Sequence, residues 1–492
     1  MSSARARLRD FLPNARELAL LFAARGLACM AAWHAGFRAL SDDDYARIAI
    51  AQRFADAPHF DPTGTSWLPA PFWAYGAIFR CFGTGLSVAR TAAIAAALVA
   101  TVLVYVAARL LGASRFGALL GAVFSTTLVP YSVALGIAAL PEVPCAALLV
   151  FALATLSQRE PGIRAFGGFA LLFACLSRYE AWPIALVFAF YCGWDALRAR
   201  RIALLGCAVL AVAGPALWLI VGRFEHGDAL FFVARVAAYR RALGGPPASP
   251  LQRLIEYPRL LLWDGAVLWP VLVVSRFLPS KQRASESIGY GRALVGAAGV
   301  LLFLMLGSVR DGVPTHHAAR VLLPIWFLAS IVAGERLDRF ATTRAARGRL
   351  TVIAGMVTVL PFYPWFCIPD EGLAQRSAEL DAGDRARRFT GGALAIDTPD
   401  YGFFAVQAGF GSPGDTIVLE DHDPRHPSDN PFRDAATAER ALREHGAQFA
   451  IVSRAHAPLL PPRCCELWRN DGFALFRCSK YAGNFAASRD PT

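Results

Sequence analysis

Long apolar runs recur along most of this 492-residue chain, and they constrain its fold more than any other feature. A run of about 20 apolar residues crosses the hydrocarbon core of a bilayer as a helix, because a helix satisfies its own backbone polar groups there. Hydrophobic residues make up 55% of the chain and charged residues only 17%, as expected for a protein with many spans. The sequence predicts a mainly α polytopic membrane protein with about eleven transmembrane helices. The runs cover residues 18–34, 86–111, 116–137, 143–156, 166–176, 183–194, 202–221, 260–277, 293–307, 321–334 and 350–366.

Basic residues are spaced so that they fall on one side of these predicted spans. Arginines precede the first run, and further basic clusters occupy residues 198–201, 276–292 and 336–349. Because Lys and Arg are enriched in cytoplasmic loops, the N-terminus is predicted to be cytoplasmic. This pattern explains the net charge of +12 without a nucleic-acid partner. The segments that then face outward are the loop after the first run, residues 177–182, 223–259 and 308–320, and the C-terminal region.

Beyond residue 369 the pattern changes to that of a small soluble domain. The chain is therefore predicted to divide into a transmembrane domain at 1–369 and an extracytoplasmic α/β domain at 370–492. Asn470-Asp471-Gly472, between two apolar segments, predicts a β-hairpin. The predicted strands cover residues 393–397, 416–419, 449–452, 466–468 and 473–477, and a helix covers 435–445.

Three cysteines of this outer domain lie where an oxidising compartment permits a disulfide. They are Cys464, Cys465 and Cys478, and the sequence leaves open whether Cys464 or Cys465 pairs with Cys478. The loop at 421–426 contains Asp and His residues that suit a metal ion, although the same residues are common in solvated loops.

An acidic triplet, Asp42-Asp43-Asp44, follows the first apolar run. Adjacent carboxylates raise one another's proton affinity and attract a metal ion or a cationic group, so the triplet indicates a site at the outer membrane face. The alternative is a helix start, with Ser41 as N-cap and Asp44 reaching back to it, since acidic residues suit the first turn of a helix.

A few other outward-facing residues resist a purely structural interpretation. Glu142 opens a predicted span, where it also suits the helix dipole. Arg178 and Glu180 form either part of a site or an ordinary ion pair at the interface. Arg320 either binds an anion or anchors its helix at the headgroups. The remaining residues of interest are Tyr45, Arg47, His59, Asp61, Trp67, Tyr179, His316 and His317.

These motifs, in this order, resemble the landmarks of the GT-C superfamily of polytopic glycosyltransferases, which includes the protein O-mannosyltransferases and the aminoarabinose transferase of lipid A. The resemblance covers about the first 370 residues. It rests on residues 41–49, the following Pro-rich aromatic segment, Pro141-Glu142, residues 177–182 and residues 320–324. The family commonly has Asp-Glu after the first span, whereas this chain has three Asp, which leaves the catalytic carboxylate open between Asp42 and Asp43.

The resemblance implies an inverting transfer of a sugar from a polyprenyl-phosphate donor to an acceptor, in a protein of the bacterial inner membrane. Asp43 is expected to act as general base, assisted by a second Asp or by Glu142. The departing phosphate is expected to be stabilised by Arg178, Arg320, His316 and His317. Tyr45, Trp67, Tyr179 and Glu180 are expected to contact substrate, and a divalent metal at Asp42 and Asp43 stays open. The rival interpretation is a transporter or flippase of a lipid-linked or anionic solute.

Overall fold

A computed structural model describes residues 10–243, 249–265, 268–277, 288–312, 317–340, 346, 348, 375–389, 392–398, 400–419 and 431–478. The helices of the first part are α1 Ala15–His34, α2 Asp42–Asp56, α3 Ala70–Phe82, α4 Leu86–Leu110, α5 Arg115–Thr127, α6 Pro130–Ala134, α7 Glu142–Thr155, α8 Pro161–Cys175, α9 Ala181–Ala199, α10 Ala203–Glu225, α11 Phe231–Leu243, α12 Pro250–Trp263, α13 Leu268–Phe277, α14 Ile288–Asp311 and α15 Leu323–Phe340, with a 3-10 turn at Ala318–Leu322.

Four helices of the described part are long and apolar enough to cross a membrane: Leu86–Leu110, Ala203–Glu225, Tyr290–Asp311 and Ala318–Arg339. Shorter apolar helices lie at Glu142–Thr155 and Pro161–Cys175. The protein is therefore an integral membrane protein. The prediction of about eleven spans is not confirmed, and the run at 350–366 lies outside the described residues.

Two predicted spans are broken in the structure. Within the run at 116–137, helix α5 ends at Thr127 and the short helix α6 begins at Pro130, because proline cannot continue a helix at an interior position. The run at 260–277 is divided between two helices. Helix α12 ends at Trp263, just before Asp264-Gly265, and helix α13 begins at Leu268. Periodicity and length alone did not show these interruptions.

A buried arginine holds the irregular backbone that follows α5. Arg25 of α1 is 1% exposed and donates to Thr101 Oγ1 at 3.1 Å, to Ser132 O at 2.6 Å and to Ser132 Oγ at 3.0 Å. Non-helical backbone at membrane depth must find its partners inside the protein, and Arg25 supplies them. This segment leads directly to the residues that contact α2.

Helix α15 packs unusually close to α5, which fixes the position of Arg320 just before α15. A Cβ atom on Gly334 would lie 2.4 Å from the backbone N of Gly121 and 2.6 Å from Gly117 O. Only glycine permits this approach, and Gly117 and Gly121 have the four-residue spacing of close helix contacts in membranes.

The C-terminal part is an α/β domain built on a mixed five-stranded sheet of order β2-β1-β3-β5-β4. Strands β1 and β3 are parallel, β3 and β5 antiparallel, and β4 and β5 form the predicted hairpin. The predicted strands and helix are confirmed to within about two residues, and Cys464 pairs with Cys478 while Cys465 is exposed. The elements are α16 Ser377–Ala386, β1 Leu394–Ile396, α17 Phe403–Phe410, β2 Thr416–Val418, α18 Ala435–Glu444, β3 Phe449–Ser453, β4 Cys464–Arg469 and β5 Phe473–Cys478, with 3-10 turns at Pro413–Asp415, Pro431–Arg433 and Ala457–Leu459.

This domain packs directly on the acidic helix α2 through α17. Gln52 is fully buried, and its Nε2 donates to Thr84 O at 2.7 Å and to Ala408 O at 3.0 Å. The sequence did not predict α16 or α17, nor that they cover α2.

Candidate active site

The three aspartates of α2 point in three directions because consecutive helical residues lie about 100° apart. Ser41 is the N-cap residue, but its side chain makes no capping hydrogen bond, and Asp44 does not reach back to it. The capping explanation is therefore wrong at the level of the side chains. Each carboxylate has a different cationic partner instead.

Asp44 points into the protein core. It is completely buried, its Oδ2 lies 2.6 Å from Arg90 Nη1, and its Oδ1 accepts from the Ala139 backbone N–H at 2.7 Å. Arg90 also donates to Ile137 O and to Arg38 O. Asp44 therefore ties α2 to α4 and to the segment after α6, and its predicted catalytic role stays a prediction.

Asp42 points toward the soluble domain. Its two oxygens accept from Arg376 Nε and Nη2, both at 2.9 Å, and Arg376 also contacts Glu379 at 3.1 Å and Asp400 at 2.9 Å. Such two-pronged pairing of a carboxylate is specific to arginine. The structure places Asp42 at the junction of the two domains.

Asp43 remains accessible. It exposes 39% of its side chain and its Oδ2 lies 3.1 Å from Arg320 Nη2. Burial raises the pKa of Asp43, but the charges of Arg320 and Arg47 more than offset it, so that its pKa lies below the ordinary value. Asp43 is therefore a charged carboxylate that solvent or a substrate can reach.

Glu142, at the start of α7, joins the other groups around Asp43. Its Oε1 lies 2.5 Å from Arg178 Nη1 and 3.3 Å from Arg320 Nε, and its side chain is 1% exposed. Arg178 also pairs with Glu180. The sequence singled out Asp43, Glu142, Arg178, Glu180 and Arg320, and the structure brings all five together.

Arg47, one helical turn beyond Asp43, was noted in the sequence as an outward-facing residue but was assigned no role there. Its guanidinium carbon lies 4.5 Å from the ring centre of Trp67 and 5.5 Å from that of Phe72. Burial lowers the pKa of Arg47 to about 10, while the charges of Glu142 and Asp43 act in the opposite direction. The Asp43-to-Arg47 spacing of four residues on a helix was a signal for this neighbour.

Two of the predicted substrate contacts, Tyr45 and Tyr179, pack against other parts of the protein. Tyr45 is completely buried, with Arg90 5.8 Å from its ring centre. Tyr179 donates to Ser66 O at 2.8 Å and stacks on Phe232 with ring centres 4.6 Å apart. Tyr179 and Trp67 are half-buried, and Trp67 lies beside Arg47. The prediction that Tyr45, Trp67, Tyr179 and Glu180 contact substrate stays a prediction.

His317 lies at the edge of the cluster, just before the 3-10 turn that carries Arg320. Its Nδ1 is 3.3 Å from the hydroxyl of Tyr131. His316 lies outside the described residues. The prediction that the two histidines bind phosphate stays a prediction.

Asp42 and Asp43, where the sequence left a divalent metal site open, both pair with arginines in the structure. Among the described residues, the metal-type donor atoms that lie close together belong to a different group, Asp61, Glu225 and His226, within 4.8 Å of one another. This group connects the loop after α2 to the end of α10. The metal at Asp42 and Asp43 stays untested.

No family model matches the chain, and no curated protein matches its sequence. Solved structures do. The crystal structure of ArnT from Cupriavidus metallidurans bound to undecaprenyl phosphate has a TM-score of 0.59 and 16% identity, covering 96% of this chain and 100% of that chain. The apo structure of the same protein has a TM-score of 0.59 and 15% identity, covering 93% and 97%.

This chain has the fold of ArnT. The likeness includes the C-terminal domain, so it extends beyond the 370 residues whose sequence motifs resemble the GT-C superfamily. At 16% identity it establishes the fold, and the chemistry has to be argued from the site itself.

Proposed function

We propose that the protein is an inverting GT-C glycosyltransferase that moves a sugar from a polyprenyl-phosphate donor to an acceptor at the extracytoplasmic membrane face. One observation carries this proposal: of three consecutive aspartates, Asp43 is the most exposed and the one that meets a cluster of arginines. The fold adds support, since a solved structure with this fold binds undecaprenyl phosphate. A reachable carboxylate beside arginines suits base catalysis with an anionic leaving group.

Asp43 acts as the general base in this mechanism. It accepts the proton of the acceptor hydroxyl or amine while the acceptor atom forms a bond to the anomeric carbon of the sugar. The bond from that carbon to the phosphate oxygen breaks, and its electron pair stays on the phosphate. Attack opposite to the leaving group inverts the anomeric centre.

The charges of the cluster favour this sequence of events. Three arginines, Arg47, Arg178 and Arg320, face three carboxylates, Asp43, Glu142 and Glu180. When Asp43 takes up a proton, the described cluster gains one net positive charge. The leaving polyprenyl phosphate gains a negative charge at the same moment, and preorganised cations stabilise it.

Arg320 links the two halves of the reaction. It contacts Asp43 at 3.1 Å and Glu142 at 3.3 Å, so it orients the base and lies where the departing phosphate develops charge. Glu142 in turn fixes Arg178 and Arg320 in position. Asp42 and Asp44 take no part in the chemistry, because Arg376 and Arg90 occupy them.

The test is to incubate the purified protein with a panel of radiolabelled polyprenyl-phosphate sugars and a lipid, glycan or protein acceptor fraction from the cell envelope. Release of free polyprenyl phosphate that requires Asp43 is the expected result. Movement of intact donor across a liposome bilayer, with no release of polyprenyl phosphate from any donor, would instead identify a flippase.

A further inference from the structure

The three arginines of the site differ in how many of their donors are used. Arg178 pairs with Glu142 and Glu180, and Arg320 pairs with Asp43 and Glu142. Arg47 is different: within the described part of the chain, no group accepts from its Nε or its Nη1. It is the guanidinium with hydrogen-bonding capacity to spare.

This capacity lies in a place where solvent contributes little. Arg47 is 8% exposed, so water cannot fully replace the missing partners. A buried charge without hydrogen-bond partners is costly, and proteins rarely keep one unless a ligand completes it. The lowered pKa, about 10, reflects the same burial.

The surroundings of Arg47 fix its orientation. Its guanidinium lies over the Trp67 ring, and Trp67 itself stacks on Phe72 with ring centres 6.1 Å apart. An aromatic face holds one side of the planar group and leaves its edge, which carries the N–H donors, for a ligand. Glu142 and Asp43 act on it electrostatically, so the edge belongs to the same site.

We propose that Arg47 is the principal binding group for the phosphate of the lipid donor, while Arg178 and Arg320 mainly hold the carboxylates. The inference rests on the proposed function and assigns the ligand class, a polyprenyl phosphate. Arginine suits this role because its planar fork matches two phosphate oxygens. Trp67 is a positioning residue for Arg47.

The experiment measures binding of two lipids to protein in phosphatidylcholine nanodiscs: polyprenyl phosphate and the uncharged polyprenol of the same length. Arg47→Gln keeps a similar size but loses the charge, so we expect polyprenyl phosphate to bind about 10- to 100-fold more weakly and polyprenol to change less than about threefold. Arg47→Lys should fall between, because it offers a point charge. Arg53→Gln, on the exposed side of the same helix, is the matched control.

An equal loss for both lipids, or no loss for either, would overturn the assignment and reduce Arg47 to a packing group. Binding of phosphatidic acid as tightly as polyprenyl phosphate would also overturn it, since the site would then be a general phospholipid site. If Arg47→Gln does not fold, the two-lipid comparison is made on Arg47→Lys, whose positive charge keeps the pairing with the aromatic rings.

The outcome is separable from that of the proposed function. A selective loss of phosphate binding in the Arg47 variants, with no sugar transferred by the wild type, would leave the lipid-phosphate site intact and reject the transferase. Sugar transfer that requires Asp43 but is unchanged in the Arg47 variants would support the transferase and reject Arg47 as the phosphate-binding group.

Discussion

Substituting each of the three aspartates by asparagine should give three different results, although the change is the same. All three residues lie in the first turn of α2, so each loses a similar interaction with the helix dipole, about 0.3–1 kcal/mol. That contribution cancels when the variants are compared. The remaining differences in stability and turnover between the variants therefore reflect the partner of each carboxylate.

Asp44→Asn should chiefly lower stability. The pair is buried at 2.6 Å with Asp44 fully enclosed, and breaking a buried pair costs about 3–5 kcal/mol. The asparagine oxygen still accepts from the Ala139 N–H, and Arg90 keeps the carbonyls of Ile137 and Arg38. We therefore expect a loss near 3 kcal/mol, the lower end of this range.

Asp43→Asn should chiefly lower turnover. Its contact with Arg320 is partly exposed, so the change in stability should stay below about 1 kcal/mol, whereas loss of a general base lowers the rate about 10²- to 10⁴-fold. The turnover of Asp42→Asn should stay within about threefold of the wild-type turnover, because Arg376 retains its ion pairs with Glu379 and Asp400.

The assay pairs thermal inactivation in detergent with turnover per folded molecule for all three variants and the wild type. Turnover retained by Asp43→Asn within a few fold would refute the assignment of the base. A stable Asp44→Asn protein without activity would show that the buried carboxylate, rather than the accessible one, is catalytic.

Three further predictions concern charge and topology. Arg320→Ala should lower single-turnover rates more than donor affinity, and Arg320→Lys should rescue only in part; equal rates in all three proteins would remove Arg320 from the site. The low pKa of Asp43 predicts full activity above that pKa and loss of activity as pH falls through it. Arg376→Ala should move this acid limb of the pH–rate profile to higher pH, because an unpaired Asp42 carboxylate raises the pKa of Asp43. Adding Asp42→Asn should return the limb to its original pH, whereas a limb that stays shifted in the double variant would indicate undocking of the C-terminal domain. In a protein with Cys81, Cys367 and Cys465 replaced by Ser, an impermeant thiol reagent outside should label Thr65→Cys and not Lys281→Cys. The opposite pattern would invert the membrane orientation.

The sequence by itself determined the membrane class, most helices and the short strands of the C-terminal domain. Each depends on a periodic pattern that is local in the chain, as with the apolar run that became Leu86–Leu110 and the Asn470-Asp471-Gly472 hairpin. The broken helices at 128–141 and at Asp264-Gly265 escaped this reasoning, because buried partners such as Arg25 stabilise irregular backbone that hydropathy cannot distinguish from a span.

For the site, too, the sequence predicted some features and the tertiary contacts decided others. Residue type was enough to single out Asp43, Glu142, Arg178 and Arg320, since clustered charges on an apolar chain need a reason. Only the tertiary structure decided which aspartate is most exposed, because Arg90 and Arg376 reach Asp44 and Asp42 from positions 46 and 334 residues away in sequence. It also decided that Arg47 keeps unused donors, since hydrogen-bond satisfaction is a property of all neighbours in space and of no local pattern.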